Sequence, residues 1–208
     1  MKIYSERIYV PEGVISGTIT VSDGKIISIE EGIKDPEAID YGTNRIIPGI
    51  FDTHNHGTCG FDPANGQHLD KEQAKQQVRG YLKGLASQGV TSIFPTVVES
   101  DALSNIAEVA EVHEAIGAEI LGIHSEGPWL NRVGEKGIRT GWPEISVEKA
   151  EKMVSDSKGW LKLVAIAPEI PGAYEVIEYF LSKGITVAAA HSDNHYKEAM
   201  EGYAKGIS

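Results

Sequence analysis

Three short segments of this chain concentrate side chains that bind metals or move protons. The first is Pro48-Gly49-Ile50-Phe51-Asp52-Thr53-His54-Asn55-His56-Gly57. In an extended strand, residues two apart face the same side, so Asp52, His54 and His56 are expected to point together. Two imidazoles at that spacing at a strand's C-terminal end can chelate one metal ion. An H-x-H pair alone is a common surface feature. Directly after an apolar strand bearing P-G-x-x-D it argues for a ligand pair, with solvated histidines as the alternative. The second segment, Gly122-Ile123-His124-Ser125-Glu126-Gly127-Pro128-Trp129-Leu130, puts Glu126 where strand becomes loop, a position from which a carboxylate can bridge or cap a metal. His124 shares that face, either as support for a ligand or as a plain core histidine. The third is an apolar run at 185–190 closed by His191-Ser192-Asp193-Asn194-His195. Here His191 is a candidate ligand by position and His195 a solvated or helix-capping residue. By contrast His68 and His113 lie scattered, and Cys59, a lone cysteine in a Gly-rich loop, is expected to be unliganded.

The elements that must position these residues alternate. From residue 45 onward an apolar strand (45–52) precedes a helix in which Val78, Tyr81, Leu82, Leu85 and Ala86 recur at helical spacing. Gly89 closes that helix and a strand follows at 90–96. Helices at 101–116, 147–157 and 173–183 then alternate with strands at 119–126, 161–167 and 185–190, and a last helix carries Tyr196, Ala199, Met200 and Tyr203 on one face. Strict βα succession predicts a parallel sheet with its functional side chains on one rim. Gly89-Val90-Thr91, Gly184-Ile185-Thr186 and Gly206-Ile207-Ser208 repeat one junction pattern, so the third is expected to open a sixth strand. This predicts the first five βα units of a partial (β/α)8 TIM barrel, with 208 residues as a truncated piece of a longer chain, since eight units need about 250 residues. A doubly wound open sheet is the alternative.

Residues 1–47 differ in texture. Short β-rich runs at 1–10, 14–21 and 25–30 are separated by Pro11-Glu12-Gly13 and by Ser22-Asp23-Gly24, an Asp-Gly hairpin signal. Two domains are expected: a small β-rich unit at 1–47, an incomplete β-sandwich, and the barrel portion at 48–208. Five of eight units leave unpaired strand edges, so such a chain is expected to associate, as a homo-oligomer such as a dimer.

Composition narrows the function classes. With 19 basic and 30 acidic residues the net charge is −11, a field that repels nucleic-acid backbones and anionic lipid, so neither is an expected partner. The N-terminus lacks a signal-peptide pattern and no apolar run reaches the ~18 residues of a membrane span, which predicts a cytoplasmic protein. One cysteine permits no internal disulfide and leaves a metal site to histidines and carboxylates.

At PGIFDTHNHG, HSEGPWLN and AHSDNHYKEA the sequence resembles the amidohydrolase superfamily, and within it the deacetylases of N-acetylated amino-sugar phosphates. The resemblance implies a metal-dependent TIM barrel with a small β-sandwich. It implies one or two divalent ions, Zn²⁺ first and Fe, Mn or Co as alternatives. Glu126 and His191 would match ligands of the main ion, and His54 and His56 the pair used by members with a second. It places a further ligand His and the general-base Asp after Ser208, so no catalytic residue is assigned within the chain. The implied reaction is hydrolysis of the acetamide of N-acetylglucosamine 6-phosphate to glucosamine 6-phosphate and acetate. The alternatives are another N-acetylhexosamine phosphate such as N-acetylgalactosamine 6-phosphate, a different amidohydrolase, or a non-catalytic metal-binding piece. A carboxylated lysine, as in cyclic-amide hydrolases, is not expected, because Lys162 sits at the wrong end of its strand. Where the family has Lys-Gly-x-His, with the last residues touching the sugar, this chain has Lys136-Gly137-Ile138-Arg139. Ile138 and Arg139 are therefore the implied substrate-binding pair, Arg139 suited to phosphate or a hydroxyl but not to an imidazole's proton-carrying role.

Overall fold

A computed structural model describes residues 1–63, 71–98, 102–111, 117–131 and 144–208, arranged as two compact units, Met1–Gly49 and Ile50–Ser208. In the first unit β1 (Lys2–Val10), β2 (Gly13–Ser22) and β3 (Lys25–Glu31) form an antiparallel meander. Asp23 and Gly24 between β2 and β3 both have positive φ (50° and 73°), the geometry that makes Asp-Gly a tight hairpin turn. Two short strands, β4 (Ile39–Asp40) and β5 (Arg45–Ile46), pair with β1 in parallel, giving the order β3-β2-β1-β4 with β5 also on β1. The expected strand at 45–52 is thus divided. Its first two residues belong to this sheet, and Pro48-Gly49, one lacking an N–H and the other a Cβ, separates them from the strand that follows.

The second unit alternates β6 (Ile50–Asn55), α1 (Lys71–Ser87), β7 (Val90–Val97), α2 (Leu103–Glu111), β8 (Glu119–Ile120), β9 (Ile123–Glu126), α3 (Val147–Asp156), β10 (Leu161–Ile166), α4 (Ala173–Ser182), β11 (Thr186–Ala189) and α5 (Tyr196–Ala204). The strands are parallel in the order β11-β10-β9-β7-β6, with the short β8 beside β7. Each main strand neighbours its successor without reversal. A doubly wound sheet reverses direction at its switch point, so the sequential order is that of a barrel wall. Gly89, Gly184 and Gly206 all have positive φ (85°, 71° and 97°), as the repeated junction pattern requires. After the third, the Ser208 N–H donates to the Val187 carbonyl of β11 at 2.9 Å. The core, with Trp129, Tyr81, Phe180, Leu82, Ile93 and Ile166 fully buried, lies between helices and sheet.

The expected strand at 119–126 is broken at Leu121-Gly122. A Cβ on Gly122 would stand 2.3 Å from Lys162 Cγ, 2.9 Å from Lys162 Cβ and 2.8 Å from Phe94 Cε1. Lys162 Cβ is fixed by its strand, and the Phe94 ring is held edge-on by Phe51 at 4.8 Å. Gly122→Ala should therefore destabilise by about 1–3 kcal/mol. Gly80→Ala, in the interior of α1 with its nearest neighbour at 3.8 Å, should stabilise by about 0.5–1 kcal/mol. Urea midpoints measure both, and equal shifts for the two would show that Gly122 is not required by close approach.

Candidate metal centre

The C-terminal ends of β6, β9 and β11 bring three histidines together around one carboxylate. Glu126, the last residue of β9, is 8% exposed. Its Oε2 lies 2.9 Å from His56 Nε2 and 3.8 Å from His54 Nε2, while its Oε1 lies 2.7 Å from His191 Nε2. The two histidine Nε2 atoms of the β6 segment are 3.1 Å apart. Each carboxylate oxygen thus serves a different histidine set, one from strand β6 and one from beyond β11. Burial raises the Glu126 pKa, but the His191 hydrogen bond and the neighbouring His54 and His56 outweigh it and hold the carboxyl below its usual range.

His54, His56 and Glu126 place one donor atom each within 4.8 Å of one another. Ligands around a tetrahedral ion with bonds near 2.1 Å are separated by roughly 3.4 Å, so the observed spacings fit a small divalent cation after minor adjustment. The donor set of imidazole nitrogen and carboxylate oxygen suits Zn²⁺, Fe²⁺, Mn²⁺ or Co²⁺.

Asp52 does not join this group. Its Oδ1 accepts the His54 backbone N–H at 3.1 Å and its Oδ2 accepts the Asn55 side-chain amide at 2.9 Å. The β6–β7 register shifts between Asp52 and Asn55, which breaks the simple two-residue alternation that would have aligned Asp52 with the histidines. Asn55, between the histidines, went unrecognised at the level of sequence. Its Oδ1 accepts from the buried Tyr81 hydroxyl at 3.0 Å and from the Gly57 N–H at 2.9 Å, and its own N–H donates to Thr96 Oγ1 at 2.8 Å. One asparagine therefore fastens the H-x-H turn to α1 and β7. The signal available was an amide-bearing residue in the middle of a ligand-type motif ending in glycine.

His124 is 3% exposed, with Nδ1 3.3 Å from Thr96 Oγ1, its ring edge-on to His54 at 4.9 Å, and Nε2 without a hydrogen-bond partner. Burial, followed by the charge of His54, pushes its pKa down to about 4, so it is neutral at physiological pH. His195 occupies the N-cap of α5 but makes no side-chain capping bond. Cys59 is exposed and is not part of the donor group. Lys162 is exposed on β10, with its side-chain stem beside Gly122. His68, His113, Ile138 and Arg139 lie outside the described residues.

A parallel strand wall with histidines and a carboxylate converging on its C-terminal rim is a barrel wall whose donor group could hold a metal ion, and the sequence comparisons name its class. The model of the amidohydrolase family matches residues 45–208, and that of the allantoinase composite domain matches residues 2–44; the chain belongs to the amidohydrolase family. Among its relatives, the N-acetylglucosamine-6-phosphate deacetylase of Vibrio furnissii is 34% identical over 201 residues, covering 91% of this chain and 49% of that protein. The N-acetylgalactosamine-6-phosphate deacetylase of Escherichia coli O157:H7 is 25% identical, covering 97% of this chain and 53% of the relative. The crystal structure of N-acetyl-D-glucosamine-6-phosphate deacetylase from Mycobacterium smegmatis superposes with a TM-score of 0.84 at 20% identity, over 100% of this chain and 54% of that one. The fold is accordingly a partial amidohydrolase TIM barrel with an N-terminal sheet unit. The chain spans about half the length of the curated relatives it matches. Among the described residues, no helix is long and apolar enough to cross a membrane.

Proposed function

We propose that this chain carries the metal-holding part of a deacetylase that hydrolyses the acetamide of N-acetylglucosamine 6-phosphate to glucosamine 6-phosphate and acetate. The observation that carries this reading is the divided Glu126 carboxylate, with Oε1 on His191 and Oε2 on the His54–His56 pair, at the C-terminal rim of the sheet. The 34% identity to a deacetylase of this specificity supports it. In this reading Glu126 and His191 would hold the main divalent ion, Zn²⁺ first, and His54 and His56 would hold a second. A divalent ion there supplies Lewis acidity, which lowers the pKa of water from about 15.7 to about 7 and polarises an amide carbonyl.

The chain's own residues do the rest of the work assigned to them. The Asp52–Asn55 hydrogen bonds fix the turn that presents the two imidazoles. Neutral, buried His124 packs against His54 and keeps water from that side of the ring. The general base is assigned to an aspartate outside this sequence, which takes a proton from water and returns it to the leaving nitrogen. Ile138 and Arg139 are proposed to meet the sugar phosphate, Arg139 through its planar donors. The 1–47 unit is proposed as part of a small β-sandwich, and the protein as a cytoplasmic homodimer acting on a small-molecule substrate.

In the full-length protein, treatment with a chelator should abolish release of acetate from N-acetylglucosamine 6-phosphate, and added Zn²⁺, Mn²⁺ or Co²⁺ should restore it. Undiminished turnover after the metal is removed would refute the reading. N-acetylgalactosamine 6-phosphate, tested in parallel, should give the lower kcat/KM; the reverse order would move the substrate to that epimer.

A further inference from the structure

The loop carrying His191 is held by a carboxylate that belongs to no part of the donor cluster. Glu169 lies three residues beyond the end of β10. Its Oε1 accepts the Asp193 backbone N–H at 2.5 Å and the Asn131 side-chain amide at 2.9 Å, and its Oε2 accepts the Ser192 hydroxyl at 2.8 Å. Ser192 Oγ in turn accepts the Asn194 N–H at 3.0 Å, and the Asn131 N–H donates to the His191 carbonyl at 3.0 Å. Three loops, those after β9, β10 and β11, are therefore tied through a single side chain.

The residue this arrangement surrounds is in a disfavoured backbone conformation. His191 has a φ of 49°, in the left-handed region where a Cβ crowds the following carbonyl. A non-glycine residue stays there only when its neighbours over-determine its conformation. Asn131 fixes its carbonyl, and Glu169 fixes the two residues that follow it. That same conformation delivers His191 Nε2 to 2.7 Å from Glu126 Oε1. Burial raises the Glu169 pKa, but the donors on Asp193, Asn131 and Ser192 outweigh it and hold it below the usual carboxylate range, so the acceptor form is present at neutral pH.

We infer that Glu169 is the positioning residue for His191, locking the 191–193 turn so that the imidazole is presented to Glu126 and to the ion the two would share. The inference rests on the reading of His191 as a metal donor. With donors on both of its oxygens, Glu169 acts through His191 and not on substrate.

The test compares wild type, Glu169→Ala, Glu169→Gln and Ser192→Ala. Zn²⁺ affinity is read by competition with a chelating indicator, the visible spectrum is recorded after loading with Co²⁺, and the melting temperature is taken on metal-free protein. Glu169→Ala should weaken Zn²⁺ binding by about 10–100-fold and alter the Co²⁺ bands. Glu169→Gln, whose amide oxygen can still accept from Asp193 and Asn131, should recover most of the affinity. Ser192→Ala, which removes one of the three donors to Glu169 together with the acceptor of the Asn194 N–H, should fall between them and carries the test should Glu169→Ala not fold. In each folded variant the metal-free melting temperature should stay close to wild type. Wild-type affinity and Co²⁺ spectrum in Glu169→Ala and Ser192→Ala would overturn the inference, as would affinity losses that merely follow losses of metal-free stability. A wild-type protein that takes up neither ion would overturn the reading of the site itself, and the inference with it.

Discussion

Glu126→Gln is expected to lower the affinity for divalent metal by more than ~100-fold, the scale on which disturbing even a supporting partner of a ligand is felt. Among the described residues the carboxylate is the only group that faces both histidine sets, and its charge is what two neighbouring cations would share. An amide keeps one acceptor oxygen and turns an NH₂ towards either His191 or His56, so one side of the cluster necessarily loses its acceptor. Acetate release should fall with the metal, because the same carboxylate sits between both sets of donors. The metal-free variant should remain folded, since Ile123, Val164 and Ile166 around the strand end are untouched. Metal content by mass spectrometry beside kcat/KM decides the matter. Wild-type stoichiometry in the variant would remove Glu126 from the ligand set.

The metal-free protein should lose about 3 kcal/mol of stability between pH 6.5 and pH 4 through His124 alone. Its pKa falls from 6.5 in the unfolded chain to about 4 in the fold, a difference of about 2.5 units at ~1.36 kcal/mol each. The sign follows from which state binds the proton. Above pH 6.5 His124 is neutral in both states and contributes no slope. Below it the unfolded chain takes up a proton that the folded protein refuses until about pH 4, so acid favours unfolding across that window. Glu126 acts in the same direction at lower pH. Its folded pKa is depressed, so its contribution is present above the unfolded value and is lost as pH falls through the folded one. Urea titrations of chelated protein at pH 7.5, 5.5 and 4.5 measure the slope. His124→Gln, which cannot titrate, should flatten it, and an unchanged slope in that variant would assign the acid sensitivity elsewhere.

Local pattern was enough for much of the barrel. Helical spacing in α1, the C′ glycines at 89, 184 and 206, and the apolar runs behind them depend only on residues within a turn or two, where backbone sterics act directly. The same locality made His54, His56, Glu126 and His191 conspicuous, each at the end of an apolar strand. The Asp-Gly turn between β2 and β3 was legible for the same reason, because both positions must have positive φ.

Tertiary structure decided what depends on contacts between distant segments. Sequential rather than reversed strand order is a matter of which strands pair, and no window of sequence contains both partners. Asp52 left the donor group because the β6–β7 register slips beside it, and register is set by the neighbouring strand. The allotment of one Glu126 oxygen to each histidine set comes from strand ends separated by 65 and 70 residues of chain, whose relative height the sheet's stagger fixes. Glu169, two residues past the strand expected at 161–167, carried no signal in the sequence. Its three donors lie 23, 24 and 38 residues away, and they meet it because adjacent βα loops rise side by side from parallel strands. Residue types at strand ends are a property of the chain, whereas the distances between them are a property of strand pairing, and the donor cluster requires both.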